Sequence, residues 1–349
     1  MTIIQSVAGG RASQSHMLEA VRRFLLGVAA LVALAVIVGG GTRLTESGLS
    51  ITEWNVVSGS LPPLDATVWL DEFEKYRRTV QYRDLNQGMT LDDFKTIYLW
   101  EWAHRLVGRV IGVVFLGGFL WYLWRGAYRF NSSLGRRLFA IGLLIALQGA
   151  IGWWMVSSGL FDRVNVAPYR LAIHLTMASV IFAMLFWTAL GLKDGWLQNE
   201  RRFRPKPAWL VGAIFVQIFL GALVAGNRAG YAYQTWPLMD GALIPFTLFE
   251  MSPLWRNFFE NAALVQFVHR LMAYALIVAA LINVIQCQRR DVVLTPSAFA
   301  LLIGILAQAC LGIGTLLTGM NLAVALCHQA GLLIVLMLAL RHAHMAAYS

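Results

Sequence analysis

Apolar residues along this chain do not alternate with polar ones; they gather in eight long runs separated by polar stretches. Each run is about 20 residues, the length a helix needs to cross about 30 Å of hydrocarbon. The runs predict helices near 22–41, 99–124, 137–157, 169–192, 208–226, 261–286, 297–318 and 321–340. The expected fold is therefore an all-α polytopic membrane protein with eight transmembrane helices. The pattern also repeats. His104-Arg105-Leu106 recurs as His269-Arg270-Leu271, and Gln148, Gly152 and Gly159 recur at the same spacing as Gln308, Gly312 and Gly319. Thr42-Arg43 has a counterpart in Asn227-Arg228. With four helices per repeat, both halves insert the same way up, related by a pseudo-twofold axis along the membrane normal. The expectation is two tandem four-helix bundles. The first covers 22–192 and carries a long loop at about 42–98; a linker at 193–207 leads to the second at 208–340. Residues 1–21 and 341–349 are expected as cytoplasmic end segments.

Composition agrees with a bilayer as solvent: 58% of the 349 residues are hydrophobic and 13% charged, with a mean hydropathy of +0.62. The net charge of +10 does not point to nucleic acid, because the basic residues cluster between apolar runs rather than along one basic helix with interleaved aromatics. Fifteen of them fall on one side, in the N-terminal segment, after the second, fourth and sixth runs, and at Arg341. The longest loop on the other side holds nine acids against six basic residues. By the positive-inside rule both termini are cytoplasmic. Arg11, Arg22 and Arg23 ahead of the run from Phe24 to Val38 imitate a signal peptide, but no small-residue cleavage site follows, so an uncleaved first span is expected. Cys287, Cys310 and Cys327 match no metal or redox spacing and read as structural.

Candidate chemistry lies in the histidines. His16, His342 and His344 fall in terminal segments, where solvent or headgroups are the expected surroundings. His104, His174, His269 and His328 lie on the second, fourth, sixth and eighth runs, each one to two turns from the outer end. A single such histidine is explained by a helix–helix hydrogen bond. Four at one depth, two per repeat, are harder to explain that way, since ionisable intramembrane residues are costly. Two imidazoles facing across a bundle suit the axial positions of a haem iron, whereas zinc needs three or four converging ligands.

Arg105, Arg270, Arg43 and Arg228 near these positions suit haem propionates, with snorkelling to the interface as the alternative. Gly108, Gly149, Gly152 and Gly312 allow close approach of a porphyrin, or plain helix packing. One difference separates the halves: Glu101 stands three residues before His104, where the second half has Gln266 before His269. A carboxylate beside a haem edge accepts a proton or stabilises positive charge, and a glutamine does neither well. A salt bridge from Glu101 to Arg105 at i+4 is the competing explanation.

The motifs resemble a known family. Gly39-Gly40-Gly41-Thr42-Arg43-Leu44-Thr45-Glu46-Ser47-Gly48-Leu49-Ser50 with Glu53-Trp54 and Pro62-Pro63 resembles the first outer loop of the haem A synthase family. So do Glu101-Trp102-Ala103-His104-Arg105-Leu106-Val107-Gly108-Arg109, Thr235-Trp236-Pro237-Leu238-Met239-Asp240-Gly241 and His328-Gln329-Ala330-Gly331. The resemblance spans about residues 25 to 340 and is to the proteobacterial and mitochondrial branch. It implies a cell inner-membrane enzyme that oxidises the C8 methyl of haem O to the formyl group of haem A, with water as oxygen source. It further implies a haem b on His269 and His328, a substrate haem on His104 and His174, and an essential Glu101. Haem O synthase, cytochrome oxidase assembly factors and an electron acceptor are the implied partners, with self-association left open. Other branches carry a cysteine pair in an outer loop, and this chain has no cysteine there. The 42–98 loop, rich in Trp, Tyr and acids, is expected to fold as a cap over the first site. Two other functions account for parts of the sequence: a non-catalytic bis-His cytochrome b, which gives no reason for Glu101 against Gln266, and a transporter, which needs a polar path at the midplane.

Overall fold

The computed structural model describes residues 2–55, 58–160, 162–193 and 208–348. Among the described residues, eight helices are long and apolar enough to cross a membrane. They are α1 (Thr2–Leu44), α2 (Leu91–Trp124), α3 (Ser133–Ser157), α4 (Pro168–Lys193), α5 (Ala208–Gly226), α6 (Ala262–Arg290), α7 (Thr295–Leu317) and α8 (Leu322–Tyr348). The chain is a multi-pass membrane protein. All eight expected spans are present, and the ends differ in ways that have local causes. Thr90 caps α2 in a reciprocal capping box with Asp93, so Asp92, Asp93 and Lys95, which read as loop, form its first turn. At about 51 Å, α2 exceeds the hydrocarbon thickness, and its first two turns pack through Phe94 and Tyr98 on the loop residues Ile51 and Tyr76. The terminal segments also continue helices: α1 starts at Thr2 and α8 runs to Tyr348. The expected linker at 193–207 lies outside the described residues from 194 onward.

The first four helices form a ring in which α1 and α3 each pack on α2 and α4. The second four close in the same order, α5 on α6, α6 on α7, α7 on α8 and α8 back on α5. The rings meet where α4 packs on α5 and α8, and α1 on α8. Large side chains there, Leu185, Leu210 and Leu336 among them, are fully buried, whereas Val113, Leu116 and Leu143 on the far faces of α2 and α3 are more than half exposed. This inversion of the soluble pattern follows from a solvent of lipid tails, in which helices associate by close packing rather than by escaping water.

The long connections 45–90, 158–167 and 227–261 share one end of the bundles, hereafter the loop end. The first is folded: helices Ala66–Arg77 and Val80–Leu85 enclose a core of Ile51, Tyr76, Phe94 and Tyr98 backed by Trp69 and Phe73. At the opposite end the expectation of exposed terminal histidines fails for two of three. His16 is exposed, but His342 is 1% and His344 3% exposed. Because α8 carries on past Leu340, His342 enters the second bundle, where Nδ1 meets Ser297 Oγ at 2.7 Å and Nε2 meets Asn283 Nδ2 at 3.0 Å.

Candidate functional site

The four span histidines sit on α2 and α4 of the first ring and α6 and α8 of the second, opposite members in each case. The His104 and His174 rings have centroids 6.4 Å apart at an interplanar angle of 75°. Metal–imidazole bonds of about 2 Å and about 1 Å more to each ring centre give nearly this separation for two histidines on one metal atom. Each ring packs against a glycine of the neighbouring helix. A Cβ at Gly39 would stand 2.7 Å from His104 Cε1, one at Gly312 2.9 Å from His328 Cε1, and those at Gly152 and Gly221 3.0 Å from His174 and His269. A side chain at any of these glycines would therefore press on the imidazole and require it to shift. Three of the four glycines follow a glutamine by four residues, and that glutamine donates to the carbonyl of the histidine: Gln148 to His174 at 3.0 Å, Gln217 to His269 at 3.2 Å, Gln308 to His328 at 2.7 Å. On α1 the equivalent position is Ala35.

All four histidines retain partly uncovered surface, and Nδ1 of His104, His174 and His269 is buried with no hydrogen-bond partner. His328 Nδ1 lies 3.1 Å from the Gln308 carbonyl, which leaves its Nε2 for a ligand, the arrangement that orients metal-bound histidines. The unpartnered nitrogens of His104 and His174 on adjacent rings, and of His269 in the second bundle, suit imidazole ligation of a haem iron. Among the described residues no group of three or more His, Cys, Asp or Glu gathers as a metal site.

Glu101 is 2% exposed and fully engaged. One carboxylate oxygen accepts from Ser50 Oγ at 2.8 Å and Ile51 N at 2.9 Å; the other accepts from Arg105 Nη2 at 2.6 Å and Nε at 3.1 Å. Arg105 also donates to the carbonyls of Ile51 and Glu53, both at 2.8 Å. The competing ion pair is therefore present, and it staples the 50–53 segment to α2. The second half uses the same device with the opposite polarity. Gln266 donates to the carbonyls of Ala229 and Tyr233 at 3.3 and 3.0 Å, while Arg270 donates to the carbonyl of Thr235 at 2.8 Å and to Gln266 Oε1 at 3.3 Å. A loop offering donors takes the carboxylate, and a loop offering acceptors takes the amide.

Arg43 and Arg228 lie at the seam between the halves. Arg43 donates to the Ala225 carbonyl at the end of α5 at 3.0 Å, and Arg228 pairs with Glu46 at 2.5 Å. All four arginines singled out for propionates thus have protein partners. Gln217 with Gly221 escaped the sequence reading although its spacing matches Gln148–Gly152 and Gln308–Gly312. The Ser50 and Ile51 donors also escaped it, since nothing in the spacing ties them to Glu101 fifty residues on.

Two rings of four helices, each presenting a histidine pair from opposite helices, define a multi-pass membrane protein with two matched candidate ligand sites. The sequence pattern of the cytochrome oxidase assembly protein family matches residues 22–340. Proteins named haem A synthase are similar over nearly the whole chain. That of Bradyrhizobium sp. (strain ORS 278) is 53% identical, covering 93% of this chain and 90% of its own length. That of Rhodopseudomonas palustris (strain ATCC BAA-98 / CGA009) is 51% identical, with 93% and 88% covered, and that of Parvibaculum lavamentivorans 47%, with 94% and 95%. The chain belongs to the cytochrome oxidase assembly protein family.

Proposed function

We propose that this protein is a haem A synthase of the inner membrane, with both termini cytoplasmic, oxidising the C8 methyl of haem O to a formyl group. The observation that carries the reading is the pair of histidines in each ring, set against a family whose relatives bear that name. His104 and His174 bind the substrate haem, and His269 and His328 hold a haem b. Bound there, haem b supplies one-electron redox chemistry. Water is the oxygen source: each oxidation breaks a C–H bond, forms a C–O bond, and releases two electrons and two protons to an acceptor; the hydrated aldehyde then loses water. Haem O synthase supplies the substrate and oxidase assembly factors take the product.

The chain's own contribution is positional. The glycines and the Gln148, Gln217 and Gln308 amides fix the imidazoles, and the Arg105 and Arg270 staples keep the loops closed over both sites. Glu101 is held in place by four donors on its two oxygens. Its role is a fixed negative charge one turn from His104, stabilising positive charge that develops on the substrate. One observation favours a second reading, an electron-transferring cytochrome b: the donor and acceptor sets of the two loops account for Glu101 and Gln266 without catalysis. Expressing the chain with a source of haem O and separating the extracted haems by chromatography and mass decides. Haem A accumulates if the protein is the synthase; unchanged haem O makes it a cytochrome.

A further inference from the structure

A porphyrin with an apolar tail reaches the first site from the membrane, so the ring must have a side through which it passes. Helix α1 is backed by α8, and α4 by α5 and α8. That leaves the flank of α2 and α3 toward lipid. Here Gly108 of α2, one turn beyond His104, and Gly149 of α3, one turn before Gly152, have no atom within 4 Å of a Cβ position. Both are exposed. At the loop end of this bare stretch Trp54 of the 50–55 segment stacks on Trp153 of α3, centroids 5.5 Å apart and planes within 12°. Trp153 adjoins Gly152, the glycine under His174.

The segment is held on the α2 side by its backbone. Arg105 binds the carbonyls of Ile51 and Glu53, and Arg109 binds that of Asn55 at 2.8 Å. On the α3 side the Trp54 ring stack takes the place of such bonds, and Trp54 remains 49% exposed. The second half is built differently. There Trp236 Nε1 donates to Tyr274 Oη at 3.1 Å, so this loop tryptophan is tied by a hydrogen bond to α6, the helix its loop already covers. A stack without directional bonds parts readily; a loop tied back to its own helix does not.

We propose that Trp54 and Trp153 form the lateral gate of the first site, stacking to close the α2–α3 flank and parting to pass haem O in and its oxidised product out. The gate rests on the assignment of the first half as the substrate site. It explains why one half exchanges its porphyrin with the membrane while the other retains it.

The test uses purified protein in phosphatidylcholine nanodiscs, with haem O delivered from vesicles and binding followed by absorbance. Binding in the parent, abolished by His104→Ala with His174→Ala, establishes the site. Trp54→Leu and Trp153→Leu are each expected to speed haem O uptake and release about 3- to 10-fold, the factor a stacked aromatic pair accounts for. The double variant should be no faster than either single one, because both remove the same contact. Haem b content in the same samples reports folding, and Trp54→Phe, which keeps a stacking ring, should stay within about twofold of the parent. Unchanged exchange in the leucine variants, or additive acceleration in the double variant, overturns the gate and leaves the substrate site standing. Failure of the parent to bind haem O through His104 and His174 overturns both.

Discussion

At residue 101 a carboxylate is needed by its neighbours as well as by the proposed reaction, and variants separate the two needs. Glu101→Gln keeps the shape but removes the charge. Haem A formation should fall about 100-fold, the scale of losing one preorganised electrostatic group, while haem b absorbance is kept. Ser50→Ala removes one donor and leaves the charge, so it should lower stability by about 1 kcal/mol and activity only slightly. Equal loss of haem A in the two variants would mean that Glu101 acts only by holding its loop. The reciprocal change is not innocuous: in Gln266→Glu a carboxylate faces the Ala229 and Tyr233 carbonyls, and weaker retention of haem b is expected. The contrast between Glu101 and Gln266 was legible in the sequence. Its local cause was not, because Ser50 and Ile51 meet Glu101 only when the loop folds back on α2.

Among the elements, the helix pairs that bring a glycine under each histidine do the positioning. Gly312→Val should push the His328 ring aside and convert the haem b spectrum from low-spin to high-spin, whereas Gly152→Val should spare haem b and abolish haem A formation. Absorption spectra and extracted haems of the two variants check this, and an effect on haem b from Gly152→Val would contradict the division of labour. The existence and order of the spans were plain from the apolar runs, because a bilayer demands about 20 apolar residues whatever the tertiary contacts. Their ends were not. Polar residues at the start of α2 belong to a capping box; His342, polar on paper, is drawn into the second bundle by Ser297 and Asn283, and His344 packs on Trp187 of α4 where the two bundles meet.

On the scale of the whole molecule, the two halves are fastened at the loop end by reciprocal contacts: Arg43 to α5, Arg228 to Glu46, and Arg163 to Glu260 at 3.0 Å. Glu46 and Arg228 both hold left-handed backbone, φ 57° and 53°, a strained conformation for residues other than glycine that the ion pair helps to fix. Burial raises the Glu260 carboxyl, but Arg256 and Arg163 outweigh it and bring it below its ordinary 4.5. A depressed carboxyl adds stability above its unfolded value, and that stability is lost as pH falls through the folded one. The thermal midpoint should therefore drop on acidification below about pH 4.5, and Glu260→Gln should start lower at neutral pH and respond less to acid. The charge asymmetry of the loops predicts the orientation: reporter fusions after Arg137 and Arg204 read cytoplasmic, and fusions within 60–90 read external.

The central claim is that one half transforms a haem and the other keeps one. It is tested most directly by quantifying extracted haems from His104→Ala and His328→Ala proteins purified alongside the parent from a host that makes haem O. The account predicts that His104→Ala retains haem b at the parent level and yields no haem A, and that His328→Ala loses the low-spin haem b. Haem A from His104→Ala, or an undiminished low-spin haem b in His328→Ala, would contradict it.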